Sequence, residues 1–127
     1  MAYATISKPK LQFNTKLYTG NGGTQALTGV GFQPDWVWIK ARSIQDSHQL
    51  YDTARGVTKG LRADTYGPEA TVTNGLTAFG TDGFTVGTNT GVNGAGGTGG
   101  TYAAWNWLGA NGTVSNSDGS ITSTVSA

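Results

Sequence analysis

The sequence predicts an all-β protein, an antiparallel β-sandwich with long glycine-rich loops and an N-terminal arm. Two short aromatic runs, residues 35–40 and 102–108, hold all four tryptophans and have the composition of buried strands. Residue pairs typical of tight turns recur about every ten residues in the second half of the chain, which is the spacing of short antiparallel strands. They include Asn74-Gly75, Asp82-Gly83, Asn93-Gly94, Asn111-Gly112 and Asp118-Gly119.

The chain is predicted to divide into an arm and one domain. Residues 1–13 are the arm, because they lie outside the strand pattern and Pro9 interrupts them. Residues 14–127 are the sandwich domain, and a total of 127 residues suits a single domain. Because the chain has no cysteine, its stability must come from packing and strand pairing.

The first half of the domain is predicted to contain four strands. Residues 16–19 and 24–28 are expected to pair as a hairpin, because the Gly and Asn residues between them tolerate a positive φ. Residues 35–40 are the predicted central strand, and Pro34 ends the loop before it. Residues 48–52 favour a strand over a helix, with a loop after them. Further strands are predicted at 61–63, 70–73, 76–79, 84–87, 102–108 and 121–125, and a glycine-rich loop at 89–100.

The aromatic runs alternate between two apolar faces. Successive side chains of a strand point to opposite sides, so Trp36 and Trp38 share one face while Val37 and Ile39 share the other. A strand that is apolar on both faces is typical of the middle of a sheet covered on both sides. In the second run, one face is predicted to carry Ala103, Trp105 and Trp107, and the other Tyr102, Ala104 and Asn106.

The tryptophans are expected to fill the core, since large aromatic rings dominate core energetics. Removing one buried Trp costs about 3–5 kcal/mol, against a total stability of about 5–15 kcal/mol. We therefore expect Trp38→Ala to unfold most of the protein and Trp105→Ala or Trp107→Ala to weaken it severely. The alternative is a face of exposed rings that stacks against a sugar or a base, on which these substitutions would remove binding instead.

Composition argues against several classes of partner. Only 12% of the residues are charged and the net charge is +1, whereas binding to nucleic acid needs a clustered basic surface. We therefore expect no nucleic acid as partner. No apolar run approaches the ~18 residues of a membrane helix, so we expect no membrane insertion. The N-terminus lacks the apolar stretch of a secretion signal, which predicts synthesis in a cytoplasm.

Motifs that could carry chemistry are weak. Residues 94–99 match GxGxxG, but a strand follows where a dinucleotide site needs a helix. His48, the only histidine, lies near Asp52 and Arg55 in sequence, yet no GxSxG nucleophile motif is present, so we expect a structural, hydrogen-bonded histidine. Glu69 is the only glutamate and has no carboxylate partner in sequence for glycosidase chemistry. The sequence therefore predicts no catalytic, cofactor-binding or metal-binding residues.

Five segments resemble one known family. They are residues 13–22, 29–40, 48–56, 82–87 and 102–107. Together they are similar to a domain common in structural proteins of tailed phages, many of them marine, and the resemblance covers nearly the whole chain. It implies a concanavalin-like jelly roll in a fibre, appendage or capsid-surface protein. Longer relatives continue beyond the segment that ends this chain, so we expect either a short member or a fragment.

The resemblance implies a non-enzymatic structural protein on the virion surface. Its expected partners are other virion proteins of the capsid or tail, and its expected assembly is a homo-oligomer, a trimer as in capsid cement proteins and fibres. The arm residues Tyr3, Ile6, Lys8 and Lys10 are the candidate docking residues.

The alternative function is a carbohydrate-binding, receptor-binding module of a tail fibre. Concanavalin-like sandwiches often bind glycans, so a host surface glycan would be the partner. The candidate contact residues for this alternative are Tyr102, Asn106 and Trp107.

Overall fold

The computed structural model describes residues 9–95, 100–109, 113–116 and 123–126. A turn of 3-10 helix spans Pro9–Leu11, and a four-residue helix, α1, spans Thr90–Asn93. The strands are β1 (Phe13–Thr19), β2 (Gln25–Thr28), β3 (Trp36–Ala41), β4 (Gln49–Asp52), β5 (Lys59–Gly60), β6 (Ala70–Thr71), β7 (Leu76–Gly80), β8 (Gly83–Val86), β9 (Thr101–Trp107), β10 (Thr113–Asn116) and β11 (Ser123–Ser126).

The strands form two larger sheets and two small ones. The main sheet has the order β1-β9-β3-β4, and the second sheet has the order β2-β8-β7. The remaining strands pair as β5-β6 and β10-β11. All of these pairs are antiparallel, which confirms the prediction of an all-β antiparallel protein.

The main sheet turns alternate side chains toward the second sheet, and we call this side its inner face. In β3 the inner side chains are Val37, Ile39 and Ala41, all buried. They pack with apolar side chains of the second sheet in one cluster, because burying both sheets' apolar sides removes the largest area from water. The cluster consists of Tyr18, Leu27, Val37, Ile39, Ala41, Tyr51, Leu76, Phe84, Val86, Val92, Tyr102 and Ala104.

The four tryptophans lie on the opposite, outer face of the main sheet, so the prediction that they fill the core is wrong. Trp36 is 36% exposed, and Trp38, Trp105 and Trp107 are only partly buried. The predicted alternation is confirmed, but both faces of the central strand are apolar, so alternation alone could not decide which one meets the second sheet. The large aromatic side chains of the inner face are tyrosines instead. They include Tyr18 and Tyr102, which are buried, lie opposite each other on β1 and β9, and stack.

The predicted hairpin of residues 16–19 and 24–28 is also wrong. β1 pairs with β9 and β2 pairs with β8, so these consecutive strands lie in different sheets. The segment between them bonds to the connection between β8 and β9: Gly20 N–H donates to Gly100 O at 2.9 Å, and Gly22 N–H donates to Asn93 O at 2.9 Å. These hydrogen bonds give the Gly20 and Gly22 N–H groups acceptors without a hairpin. The chain passes there from the main sheet to the second sheet.

Smaller differences concern the loops and the chain ends. α1 lies within the predicted glycine-rich loop of residues 89–100. The strand predicted at 61–63 is β5, two residues earlier, with Leu61 bridging to Leu50. β1 begins at Phe13, one residue inside the predicted arm. The rest of the predicted arm up to residue 8 lies outside the described residues.

Candidate functional site

The outer face of the main sheet carries five aromatic side chains that pack against one another. β1 contributes Phe13 at its first position, and the paired strands β3 and β9 contribute two tryptophans each. We call the five rings the aromatic face. They belong to Phe13, Trp36, Trp38, Trp105 and Trp107.

Strand register explains why these rings meet. Trp36 lies opposite Trp107, and Trp38 lies opposite Trp105. Phe13 lies opposite Trp107 on the other side of β9. Because directly opposed residues of antiparallel strands have their side chains on the same side of the sheet, a spacing of two within each strand produces a contiguous block of rings.

The rings of the aromatic face pack against one another and are thereby held in place. Trp36 and Trp107 stack with centroids 4.5 Å apart, while Trp38 meets Trp105 edge-on at 5.9 Å. Phe13 packs against Trp107 with centroids 5.0 Å apart. Offset and edge-on pairs of this kind add about 0.5–1.5 kcal/mol each beyond the area that they bury.

Trp38 is fixed further by His48. Its indole Nε1–H donates a hydrogen bond to His48 Nδ1 at 2.8 Å, and the two rings meet edge-on at 5.5 Å. With Nδ1 as acceptor, the neutral imidazole carries its proton on Nε2. The expectation of a hydrogen-bonded histidine is thus confirmed.

A shallow hollow of about 260 Å³ opens in the aromatic face. Its walls are the side chains of Trp38, Trp105 and Trp107, and we call it the tryptophan hollow. It is lined by indole rings alone, so it offers stacking surface to a flat or ring-shaped group.

A second, wider hollow of about 680 Å³ adjoins the first along β3, and we call it the polar hollow. Lys40, two residues after Trp38 on the same side of the strand, lines it together with His48. The Lys40 ammonium is tethered, since Nζ donates to Asp46 O at 2.8 Å and to Ala41 O at 3.1 Å. The polar hollow is completed by Ala41, Arg42, Ile44, Gln45, Asp46, Ser47 and Asp64.

An ion-pair group lies at the other end of β4. Asp52 accepts hydrogen bonds from Arg55 N–H at 2.8 Å and from Arg55 Nε at 2.6 Å, and Arg55 Nη1 reaches Glu69 at 3.4 Å. Partial burial alone would raise the pKa of Asp52, but these hydrogen bonds and the guanidinium charge hold it below its ordinary value. Asp52 is engaged by Arg55 rather than by His48, so the arrangement lacks the acid–base order of a catalytic triad.

The three residues predicted for glycan contact do not form one surface. Tyr102 and Asn106 are fully buried on the inner face, whereas Trp107 lies on the outer face. Asn106 Nδ2 donates to Asn14 O at 3.0 Å, and Tyr102 accepts from Gly94 N–H at 2.8 Å. Burial raises the pKa of the Tyr102 hydroxyl. Because successive residues of a strand face opposite sides, Tyr102 and Asn106 cannot share a ligand with Trp107.

The predicted docking residues lie at the edge of the described chain. Lys10 is exposed in the 3-10 turn, beside Gly31 of the loop before β3. Tyr3, Ile6 and Lys8 lie outside the described residues. The structure therefore places one of the four and brings no set of them together.

Among the described residues, no group of three His, Asp or Glu side chains lies close enough to hold a metal ion. No helix in the described ranges is long and apolar enough to cross a membrane.

The fold and this face define a small all-β domain with an open aromatic surface. The chain belongs to the family described as a domain of unknown function, DUF7483, whose model matches residues 8–127. No curated protein and no solved structure matches the chain.

Sequence reasoning missed the polar hollow and the bond between Trp38 and His48. Residues 42–47 form no regular element, so their position beside the aromatic face follows from tertiary structure. One signal was present in the sequence: Lys40 and His48 flank residues 41–47, which return the chain from β3 to its neighbour β4. Polar residues in such a connection lie next to the face that the two strands share.

Proposed function

We propose that this protein is a non-enzymatic structural protein of a tailed-phage virion, exposed on the surface of the capsid or tail. It is made in the host cytoplasm and joins the particle through protein–protein attachment. The proposal combines the phage-family resemblance of the sequence with a surface suited to binding rather than to chemistry.

The observation that supports a surface-exposed protein which contacts a partner is the aromatic face. Five large rings are placed on the outside of the main sheet, while the inner face is packed with tyrosine and aliphatic side chains. Contiguous apolar patches on soluble proteins mark interaction surfaces, and Trp and Phe are enriched at the centres of such surfaces. The aromatic face therefore suits contact with a partner.

The strand pairing supports a concanavalin-like jelly roll as the finer description of the fold. β1 pairs with β9 and β2 pairs with β8, so the second pairing is nested within the first. Consecutive strands β1, β2 and β3 also alternate between the main and second sheets. Nested pairing with alternation between two sheets is typical of jelly rolls.

Attachment to the particle is assigned to the N-terminal arm, with Tyr3, Ile6, Lys8 and Lys10 as docking residues. This assignment leaves the aromatic face free for a different partner. The proposal includes assembly as a homotrimer, by which each particle site would present three copies of that face.

The test is to find the protein in particles. Virions are induced or grown from the bacterium that carries the gene, purified on a density gradient, and analysed by peptide mass spectrometry. We expect peptides of this chain in the particle band, in a fixed ratio to the major capsid protein. A chain lacking residues 1–12, and with them all four docking residues, should fold yet be missing from that band.

The same experiment can contradict the proposal. Full-length protein that stays in the soluble fraction, while the capsid protein sediments with the particles, would rule out a virion component. If the shortened chain still enters particles, the docking role of the arm is wrong, and attachment lies elsewhere on the domain.

A further inference from the structure

We propose that the outer face binds a saccharide, with one sugar ring stacked in the tryptophan hollow and its hydroxyl groups directed toward the polar hollow. This inference rests on the proposed attachment function, because it names the chemistry of the partner that the attached protein would contact.

The shape and lining of the tryptophan hollow suit one sugar ring. At about 260 Å³ it is slightly smaller than the usual small-molecule site, which encloses about 300–1,000 Å³. That size suits a single ring rather than an extended peptide. A pyranose ring presents axial C–H groups on one side, and indole faces such as those of Trp38 and Trp105 offer the matching apolar surface.

The rings around the tryptophan hollow are held in fixed orientations. Trp38 is held by its hydrogen bond to His48, and Trp107 is held by stacking on Trp36 and by Phe13. A surface whose rings are already oriented loses little conformational entropy when a ligand binds. Such preorganisation favours weak, small ligands that cannot provide the energy to reorder side chains.

The polar hollow beside the tryptophan hollow supplies hydrogen-bonding groups. His48 joins the two hollows, since it bonds to Trp38 of the first and lines the second. The side chains of Arg42, Gln45 and Asp64 are exposed there and supply both donors and acceptors. A ligand that extends from the indole rings into this region must be apolar on one side and rich in hydrogen-bonding groups on the other, which describes a saccharide.

Other ring-shaped or apolar partners fit this surface less well. Nucleic acid bases also stack on aromatic rings. In the polar hollow, however, the cations Lys40 and Arg42 are balanced by the carboxylates Asp46 and Asp64, so it lacks the clustered positive charge that binding to phosphates needs. An apolar peptide that covered both hollows would bury the exposed charges of Arg42 and Asp64 without offering them partners, which costs free energy. A neutral or amino-substituted sugar satisfies both hollows.

The test is a titration of the full-length protein followed by its tryptophan fluorescence. The probes are the methyl glycosides of glucose, galactose, N-acetylglucosamine and glucuronic acid, together with dextran. We expect a saturable change of emission with at least one probe. Trp105→Ala, which removes one wall of the tryptophan hollow, should weaken binding at least about tenfold. Arg42→Ala should weaken it with the emission of all four tryptophans retained.

Matched variants separate binding from folding. Tyr66→Ala removes a fully exposed aromatic ring, and Arg62→Ala removes an exposed guanidinium, both outside the two hollows. Each should bind like the unchanged protein. Circular dichroism and thermal unfolding establish that every variant is folded. If Trp105→Ala unfolds, Arg42→Ala against Arg62→Ala still decides the question.

Two results would overturn the inference. One is the absence of any saturable response of the unchanged protein to the whole panel. The other is equal binding by Arg42→Ala, Trp105→Ala and the unchanged protein, which would place the ligand elsewhere. Particle analysis by mass spectrometry is independent of both results, so a virion protein that ignores saccharides would disprove this inference and leave the proposed function standing.

Discussion

Trp38 shows how one side chain contact determines what the central strand presents to solvent. Burying an indole N–H without a hydrogen-bond acceptor destabilises the folded protein. The acceptor for Trp38 is His48, on the outer side of the sheet. His48 precedes β4, the strand that pairs with β3, so the hydrogen bond closes across neighbouring strands. The bond keeps the Trp38 ring at the boundary between the tryptophan hollow and the polar hollow.

Asp52 provides a pH-dependent test at the residue scale. Its pKa is lowered in the folded protein, chiefly because its hydrogen bonds with Arg55 outweigh the effect of partial burial. A carboxyl group whose pKa is lowered by folding stabilises the folded state at pH values above its pKa in the unfolded chain, about 3.9. This stabilisation is lost as the pH falls through the pKa of the folded state. We expect Asp52→Asn to lower the free energy of unfolding by on the order of 1 kcal/mol at pH 7, with the difference from the unchanged protein narrowing below about pH 4.

Urea unfolding at a series of pH values measures this difference. Asp64→Asn is the control, because Asp64 is exposed and makes no ion pair among the described residues. Its unfolding free energy should follow that of the unchanged protein at every pH. A gap between Asp52→Asn and the unchanged protein that stays constant from pH 7 to acid would show that the ion pair with Arg55 is not its source.

At the scale of elements, Asn93 holds together connections that are far apart in sequence. This last residue of α1 is fully buried. Its Nδ2 donates to Gly23 O at 2.6 Å and to Gly87 O at 2.9 Å, and its Oδ1 accepts from Asn21 N–H at 2.8 Å. The side chain thus joins the segment between β1 and β2 to the end of β8. Through it, the crossing between the two sheets is fixed by hydrogen bonds rather than by a hairpin.

We predict that Asn93→Ala is strongly destabilising. The substitution leaves the buried carbonyl of Gly87 without its partner, together with the partly buried Gly23 carbonyl and the Asn21 N–H. A buried group that loses its partner costs about 1–3 kcal/mol. A loss of about 3 kcal/mol in the free energy of unfolding is expected. Denaturation in urea, followed by tryptophan fluorescence, measures it.

Asn74→Ala is the control for this prediction. Asn74 is exposed, and its side chain makes one hydrogen bond, to Thr88 Oγ1 at 3.2 Å. Its removal should change stability by less than about 1 kcal/mol. Similar midpoints for Asn93→Ala and the control would mean that water replaces the Asn93 bonds and that the crossing does not depend on them.

Strand positions were largely predictable from the sequence, whereas strand partners were not. The alternation of residues 35–40 and 102–108 and the turn residues at Asp82-Gly83 locate β3, β9 and the β7–β8 hairpin correctly. The pairing of β1 with β9 joins residues about 90 positions apart, and local turn chemistry carries no information about it. Residues 20–23 have the composition of a hairpin turn. Their hydrogen bonds to the Asn93 side chain, which only the folded structure reveals, hold them in a different path.

At the scale of the whole molecule, the open question in the sequence was which apolar side of the main sheet becomes the core. β3 offers Val37 and Ile39 on one side and two tryptophans on the other, and both sides satisfy the rule for a central strand. The neighbouring strands decide it, because Tyr18, Tyr51 and Tyr102 all face the side of Val37. These side chains pack with those of the second sheet in one buried cluster, and the candidate site lies on the other side of the main sheet.

The last prediction compares one residue from each side of the main sheet. Phe84 is 2% exposed in β8 and belongs to the core cluster, whereas Trp36 is 36% exposed on the aromatic face. Phe84→Ala should lower the free energy of unfolding by about 3–5 kcal/mol, as expected for a cavity in a close-packed core. Trp36→Ala should cost no more than about 2 kcal/mol, since the ring is partly in water already and loses mainly its stacking on Trp107. Urea unfolding followed by circular dichroism measures both variants without depending on the tryptophan signal. If the tryptophan is instead the more costly of the two to remove, the aromatic face is a second core that a partner or another part of the chain must cover, and its assignment as an open binding surface is wrong.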